Sequence, residues 1–364
     1  MSWYSMFFAA IASMGLNACS KEAQPHSPRT WPDPGLVNLR QPLEYVQPRT
    51  FDIDNSLVSS ALDKGKKIPG LESVVILKNG KLIGEKYFTG DLNTLRHIRS
   101  GTKSILGLLT GMTSDSLLLD LNEPIGQFLI PHLVPELDSS IQRVTTRNLL
   151  HMTAGFQWNE ADYETWWQSS KPMTYLFQHP LADMPGKKFN YNSPAVHLLG
   201  HILRVATEQP LNDLVYKRLF VPLGIDNFQW EQDPQFHFNG SSGLQLTTRD
   251  AAKIGYLLVQ DGHNGLKQLI SKEYIKSTST NILKPMAQDG FKELGYGQLW
   301  WTESGQVNDA VFAWGYGGQF IYCVPAEHLV LVTTASWYLP GTQAQIQVRA
   351  IIDYLLNTLL IAVQ

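Results

Sequence analysis

The sequence predicts an α+β fold, in which an antiparallel sheet is formed from both ends of the chain and flanked by helices, with a mostly helical region inserted. Two runs of β-forming residues surround an Asn-Gly pair within residues 73–88. A second pair of such runs occupies residues 320–334, close to the end of the chain. Between the two pairs, from about residue 110 to 300, apolar residues recur mainly at helical spacing.

Each strand pair is marked by its turn. Asn79-Gly80 is typical of a two-residue type I′ turn, because both residues accept the positive φ angles that this turn requires. The second pair consists of residues 320–324 and 329–334, and residues 325–328 form the predicted turn between them. Both hairpins are therefore predicted to belong to the sheet.

Five segments between the hairpins predict helices. They cover residues 101–112, 145–152, 194–206, 211–220 and 248–261. The run from Thr247 to Asp250, just before an apolar stretch, is a typical helix start. Residues 344–363 are also apolar at helical spacing. Asp353 and Asn357 interrupt them, which favours an amphipathic helix on the sheet over a membrane span.

Composition narrows the classes of partner. The 364 residues are 43% hydrophobic and 17% charged, which is ordinary for a globular protein. The formal net charge of −3 gives no general attraction for nucleic acid or for an acidic membrane. The sequence contains no P-loop, no His-Glu-x-x-His and no His/Asp cluster with metal-ligand spacing, so we expect neither a metal nor a cofactor.

The first fifty residues predict export. Residues 1–19 resemble a bacterial lipoprotein signal, in which a short apolar stretch ends in a box whose Cys, here Cys19, is lipidated and becomes the new N-terminus. No Lys or Arg precedes the apolar stretch, and the alternative is an uncleaved anchor or a plain signal with a chance Cys. Six prolines within residues 20–50 predict a linker, which leaves residues 51–364 as the domain. We therefore expect a protein of the bacterial cell envelope, held in the membrane by a lipid at Cys19 and facing the periplasm.

Ser100-Gly101-Thr102-Lys103 is the one Ser-x-x-Lys motif of the sequence. Residues three apart share a face of a helix, so the Ser100 hydroxyl and the Lys103 amine can touch. A serine at a helix start also lies near free backbone N–H groups, which can stabilise an oxyanion. The helix that follows is apolar on most faces, and burial lowers the pKa of a lysine. A partly neutral Lys103 would then take the serine proton and activate Ser100 as a nucleophile.

Two further motifs fit nucleophilic catalysis. Tyr191 stands at a loop–helix junction, where a tyrosine can transfer protons; the alternative is a buried tyrosine that donates one hydrogen bond. Trp314-Gly315-Tyr316-Gly317 comes directly before a predicted strand. Glycines there allow the backbone to approach a ligand, and a strand-edge N–H would complete an oxyanion hole, whereas the alternative is a simple turn.

The three motifs occur in the order of the three boxes of the serine β-lactamase and penicillin-binding protein superfamily. The sequence resembles the class C-like branch, which contains esterases, D-aminopeptidases and 6-aminohexanoate-dimer hydrolases. Residues 144–155 and 220–225 are similar to two further segments of that family. The resemblance implies a β-lactamase-like fold and a serine hydrolase that works through an acyl-enzyme on a small ester or amide.

The resemblance also implies a role for each matched residue. Ser100 would be the acylated nucleophile, Lys103 its base partner, and Tyr191 the group that protonates the leaving atom. The backbone N–H groups of Ser100 and Tyr316 would form the oxyanion hole, and a water would release the acyl group. The implied substrate-binding residues are Ser193, Trp314, Gly315 and Gly317.

Two departures from the family pattern bear on the substrate. The second box usually ends in Asn, where this chain has Ser193. The third box usually begins with Lys or His followed by Thr or Ser, where this chain has Ala313 and Trp314. Losing a charge-assisted contact of about 1.5–3 kcal/mol weakens recognition of a β-lactam carboxylate by tens-fold or more. We therefore expect an ester or linear-amide hydrolase.

Two alternatives to that expectation stay open. One is a true β-lactamase or D-Ala-D-Ala-type peptidase that binds the substrate carboxylate with another residue. The other is a non-catalytic envelope protein that uses the fold to bind peptidoglycan fragments.

Two residue types complete the expectations. The tryptophans at 166, 167, 300, 301 and 314 suit an apolar substrate pocket, with core packing as the alternative. Cys323 lies in an apolar strand, which predicts a buried structural thiol rather than a nucleophile.

Overall fold

A computed structural model describes residues 34–130, 133, 137–283, 286–304, 309–339 and 341–363. The predicted signal segment, with Cys19, lies outside the described residues. Among the residues described, no helix combines the length and the apolar character needed to cross a bilayer.

The strands build a large sheet and a small one. In chain order the strands are β1 (Leu71–Lys78), β2 (Lys81–Tyr87), β3 (Arg96–His97), β4 (Gln229–Trp230), β5 (Leu244–Leu246), β6 (Met286–Gln288), β7 (Phe291–Tyr296), β8 (Trp301–Glu303), β9 (Ala310–Gly315), β10 (Gln319–Val324) and β11 (Leu329–Ala335). In the described part of the chain, eight of them form an antiparallel sheet in the order β2-β1-β11-β10-β9-β8-β7-β6, and β3, β5 and β4 form a second sheet. The pairing of β1 with β11 joins the two ends of the chain, as the sequence predicts.

The helices lie before, between and after these strands. In chain order they are α1 (Asn55–Lys64), α2 (Gly101–Asp115), α3 (Gly126–Leu129), α4 (Ser139–Gln142), α5 (Thr146–Leu150), α6 (Tyr163–Trp167), α7 (Ser193–Thr207), α8 (Leu211–Val215), α9 (Val221–Leu223), α10 (Thr248–Val259), α11 (Lys272–Thr278), α12 (Gly341–Tyr354) and α13 (Leu360–Ala362). A π-helical turn follows α8, and another follows α12.

The predicted hairpins form for the expected reasons. Asn79 and Gly80 have φ angles of 51° and 71°, both positive as a type I′ turn requires. Every residue of β9, β10 and β11 is buried, so both faces of this part of the sheet are covered. Helix α10 packs on β1, β10 and β11, and α2 packs on β9.

Two segments differ from the sequence prediction. Residues 286–303, expected within the helical region, add three short strands to the sheet, because runs of three to six residues are too short for their spacing to distinguish strand from helix. Part of the predicted linker packs on the domain: Leu39 is buried and donates its N–H to the Asn264 carbonyl, and Val46 N–H bonds to the Leu82 carbonyl. The proline content of this segment indicated a linker and gave no sign of these contacts.

Candidate active site

Ser100 and Lys103 meet at the start of α2. Ser100 is the residue before the first helical position, and its side chain makes no capping bond. Lys103, one turn on, is 1% exposed, and its Nζ lies 3.1 Å from Ser100 Oγ. The spacing of three residues thus produces the contact that helix geometry predicts.

The surroundings of Lys103 favour its neutral form. Burial is the largest cause that lowers the pKa of Lys103, the carboxylate of Glu160 opposes it and the positive charge of Arg99 assists it, and together they bring this pKa to about 8. The amine also donates a 2.9 Å hydrogen bond to the Ser241 carbonyl. At pH 8 about half of the amines are therefore neutral and able to take a proton.

Tyr191 lies against the same amine. Lys103 Nζ is 4.9 Å from the centre of the Tyr191 ring. That ring stacks on Trp301 at 5.9 Å, and Trp301 meets Trp314 edge-on at 5.5 Å. Trp314 itself is 5% exposed and stacks on Phe320. The Trp314 ring is thus packed in the core, where it contacts Trp301 behind Tyr191. The sequence analysis expected this ring to line the site.

Ser193 forms its hydrogen bonds with a carboxylate, although the sequence analysis expected it to bind substrate. It is the first residue of α7 and is fully buried. Its hydroxyl donates to Glu160 Oε1, and its backbone N–H lies 3.2 Å from Glu160 Oε2. A hydroxyl is shorter than the family's usual Asn side chain. The expected substrate contact of Ser193 is therefore replaced by a contact that fixes Glu160.

Glu160 is a site residue that the sequence analysis missed. It is 7% exposed, and Trp158 Nε1 donates a 2.7 Å hydrogen bond to it. Burial raises the pKa of Glu160, while the charge of Lys103 and the hydrogen bonds from Ser193 and Trp158 act in the opposite direction. A single acidic residue in a loop gives no sequence signal of its own, and the one available hint was the Ser in place of Asn at 193.

The end of β9 packs directly on the segment that precedes Ser100. A Cβ atom at Gly315 would lie 2.2 Å from the Ile98 carbonyl oxygen, so only glycine permits this approach. The Gly315 carbonyl accepts the Gly318 N–H. Because N–H and C=O of a trans peptide point in opposite directions, the Tyr316 N–H points away from β10. Strand β8 pairs with β9 only as far as Phe312, so the Tyr316 N–H lies beyond the paired part.

Arg99 is a second residue that the sequence analysis missed. It directly precedes Ser100, is 6% exposed and has a positive φ of 49°. Its guanidinium lies 4.3 Å from the centre of the Trp337 ring, at the side of the site where β11 ends. Arg99 therefore places a buried positive charge one residue before Ser100. Ala313 and Trp314, at the positions where the family usually has a basic residue and a hydroxyl, supply no charge.

Other predicted residues lie outside this arrangement. Gly317 has a φ of 91°, and its carbonyl accepts a hydrogen bond from Gln347, which fixes the turn after β9. Trp166 and Trp300 are fully buried core residues. Cys323 is buried against α10, and burial raises the pKa of its thiol, as a structural cysteine requires. Among the described residues, no group of three or more His, Cys, Asp or Glu side chains is arranged to hold a metal ion.

A Ser-x-x-Lys helix start that faces a tyrosine at a second helix start and the end of a central strand defines the class of β-lactamase-fold hydrolases. Residues 58–356 match the family described as Beta-lactamase, and the chain belongs to that family. The resemblance and the fold class predicted from the sequence are thereby confirmed.

Three relatives show how far the similarity extends. The 6-aminohexanoate-dimer hydrolase of Paenarthrobacter ureafaciens is 23% identical over 325 residues, which cover 83% of this chain and 79% of the relative. The structure of a penicillin-binding protein homologue from Pyrococcus abyssi is 19% identical with a TM-score of 0.64, over 83% of this chain and 76% of that one. The D-stereospecific amidohydrolase from Streptomyces sp. is 15% identical with a TM-score of 0.61, over 81% and 98%. At these identities the solved structures establish the fold.

Proposed function

We propose that this protein is a serine hydrolase that cleaves an ester or amide through an acyl-enzyme on Ser100. The observation that carries the proposal is the 3.1 Å contact between Ser100 Oγ and the buried amine of Lys103, whose pKa is lowered to about 8. A neutral amine within hydrogen-bond reach of a hydroxyl at a helix start is the arrangement that an activated serine needs.

The proposed reaction uses these groups in turn. Neutral Lys103 takes the Ser100 proton while Oγ bonds to the substrate carbonyl carbon. The N–H groups of Ser100 and Tyr316 stabilise the resulting oxyanion. When the carbonyl reforms, the bond to the leaving oxygen or nitrogen breaks, and that atom receives the proton from Lys103 through the Tyr191 hydroxyl. A water then adds to the acyl group, returns a proton to Ser100 and releases the acid.

The third box sets the substrate class. Ala313 and Trp314 offer no charged or hydroxyl group for a β-lactam carboxylate, and the Trp314 ring is packed in the core. Relatives named as a 6-aminohexanoate-dimer hydrolase and a D-stereospecific amidohydrolase support cleavage of an amide. We propose an ester or linear amide as the substrate.

A substrate panel tests this proposal. The purified protein is assayed with p-nitrophenyl esters of increasing acyl length, with linear amides and with nitrocefin, beside its Ser100→Ala variant. Faster turnover of an ester or amide than of nitrocefin, lost in Ser100→Ala, supports the proposal. Preferred turnover of nitrocefin would instead assign a β-lactamase, and no turnover with no covalent labelling would assign a binding protein.

The cellular location is a separate proposal. We propose that Cys19 is lipidated and holds the domain at the bacterial cell envelope, facing the periplasm, on the strength of the signal-like residues 1–19. Cys19→Ser is expected to abolish metabolic incorporation of a fatty acid and to release the protein from the membrane fraction. Cys323→Ser is the matched control, since this buried thiol is the chain's other cysteine. Equal labelling of Cys19→Ser and the unchanged protein would refute the anchor.

A further inference from the structure

A buried carboxylate–imidazole pair joins α7 to the loop between β4 and β5. Asp233 is 4% exposed and His197, on α7, is 1% exposed. Asp233 Oδ2 lies 3.2 Å from His197 Nε2 and 3.1 Å from His237 Nδ1. The rings of Trp166 and Trp167 pack edge-on against His197. The pair is therefore shielded from water, which strengthens the electrostatic attraction in its hydrogen bonds.

The hydrogen bonds fix which nitrogen of His197 carries the proton. The Gly240 backbone N–H donates to His197 Nδ1 at 3.3 Å, so Nδ1 is the acceptor. The ring proton then sits on Nε2, where it is donated to the Asp233 carboxylate. Burial lowers the pKa of His197, which agrees with a neutral imidazole in this role.

The loop held by His197 carries the carbonyl that contacts Lys103. Gly240 is followed by Ser241, whose carbonyl accepts the 2.9 Å hydrogen bond from Lys103 Nζ. Asn239 Oδ1 accepts the Ser241 N–H at 3.0 Å, which fixes the turn. A Cβ at Gly240 would lie 2.7 Å from the Val196 carbonyl oxygen, so the backbone lies directly on α7. The contact between Gly240 and His197 is thus one of the bonds that hold the backbone next to the Ser241 carbonyl.

We propose that Asp233 and His197 are positioning residues: by fixing the imidazole tautomer they hold the Gly240–Ser241 backbone so that the Ser241 carbonyl orients the Lys103 amine toward Ser100. The inference rests on the proposed function, in which Lys103 is the base partner of Ser100. It adds to that function a pair of residues that touch neither substrate nor nucleophile.

Asp233→Asn is the sharpest test because it preserves shape. The amide oxygen still accepts the N–H groups of Gln235 and His237, which the carboxylate accepts at 2.8 and 2.9 Å. The amide NH2 faces His197 Nε2, so the ring proton must move to Nδ1. There it opposes the Gly240 N–H, and two donors facing each other push Gly240 away.

The expected result has two parts. The kcat falls about ten- to a hundredfold, as a displaced catalytic group predicts, with KM within about twofold. The pKa of Lys103 also falls, because its ammonium form loses a carbonyl acceptor. The other groups that act on the charge of Lys103 are Arg99 and Glu160, with the Tyr191 ring against the amine, and all are unchanged in the variant.

His237→Asn is the matched control. His237 contacts the same carboxylate oxygen, but its side chain is 25% exposed and it accepts no bond from Gly240. We expect kcat and the Lys103 titration of this variant to equal those of the unchanged protein. Equal losses in both variants would mean that any change around Asp233 disturbs the loop, whether or not it touches the contact between His197 and Gly240, and would overturn the proposal.

Two measurements keep the inference testable on its own. Titration of Lys103 by NMR of carbon-13-labelled lysine needs no turnover, so it tests the positioning pair even if no substrate is cleaved and the proposed function fails. If Asp233→Asn does not fold, His197→Asn, whose amide oxygen can still accept the Gly240 N–H, is expected to retain more activity than His197→Leu. An unchanged Lys103 titration and kcat in Asp233→Asn, or equal activity of the two His197 variants, would contradict the proposal.

Discussion

The Ser193 hydroxyl donates a hydrogen bond to the buried carboxylate of Glu160, and the Ser193 backbone N–H contacts the other oxygen of that carboxylate. This places a negative charge at the start of α7, close enough to Lys103 that each group shifts the pKa of the other. The position at which the family usually carries Asn therefore serves here to hold an acid beside the Lys103 amine.

Replacing Glu160 by Gln is expected to change the pH profile. The Glu160 carboxylate raises the pKa of Lys103 against the effect of burial, so its removal lowers that pKa further. Because neutral Lys103 is the active form in the proposed mechanism, the acidic limb of kcat/KM should move to lower pH. The measurement is kcat/KM for a p-nitrophenyl ester between pH 5 and 10, in steps of about half a unit.

Glu164→Gln is the matched control for that change. Glu164 lies in the same part of the chain, on α6, and contacts Gln168 at the surface. Its removal should leave the acidic limb in place. A limb that moves equally in both variants, or moves to higher pH in Glu160→Gln, would refute the role given to Glu160.

The unchanged protein should itself show the lowered pKa of Lys103. Below a pKa of about 8 the amine is mostly an ammonium group and cannot take the Ser100 proton. The kcat/KM for an ester is therefore expected to rise with pH through a midpoint near pH 8 and to level off about one unit higher. A limb near 10.5, the ordinary value for lysine, would show that Lys103 is not buried in the active protein.

Much of the fold was predictable because local signals agreed with one another. Asn79-Gly80 specified its turn, and the apolar spacing specified α2, α7 and α10. The strands β6 to β8 were not predicted, because each is short and only their pairing with one another and with β9 reveals them. Runs of three to six residues carry little information about whether they pair as strands.

The candidate site, like the fold, was predicted only in part from the sequence. The sequence analysis named Ser100, Lys103 and Tyr191, because their motifs lie at predicted helix starts and follow one another in the order typical of the family. Glu160 and Arg99 were not predicted, because their importance comes from burial next to Lys103, and burial of a charged residue is not visible in sequence. Trp314 was misplaced because an aromatic residue beside a motif can lie on either face of its strand.

Gly315→Ala should disturb the oxyanion hole. The added Cβ would lie 2.2 Å from the Ile98 carbonyl, so the end of β9 must move away from the segment before Ser100. The Tyr316 N–H moves with it, and kcat is expected to fall about a hundredfold, as for the loss of one oxyanion donor. Steady-state kinetics checks this, and retention of most of kcat would place the oxyanion hole elsewhere.

The ion pair between Lys78 and Glu327 should matter for stability alone. Lys78 is fully buried, its Nζ lies 3.0 Å from the carboxylate, and the pair is at the end of β10 away from Gly315. Lys78→Met leaves a buried carboxylate without its lysine, which should lower the free energy of unfolding by about 3–5 kcal/mol. Urea unfolding measures this, and the double variant with Glu327→Gln should recover part of the loss. A larger loss in the double variant would contradict the account.

The central claim is that Ser100 becomes acylated. Intact mass spectrometry after brief incubation with an activated ester, followed by peptide mapping, tests this directly. One acyl group should be found on the peptide that contains Ser100, and none in Ser100→Ala. Ser104→Ala, which removes a hydroxyl one turn along the same helix that donates to the Leu299 carbonyl, should still be acylated. An acyl group on another residue, or equal labelling of Ser100→Ala and the unchanged protein, would contradict the account.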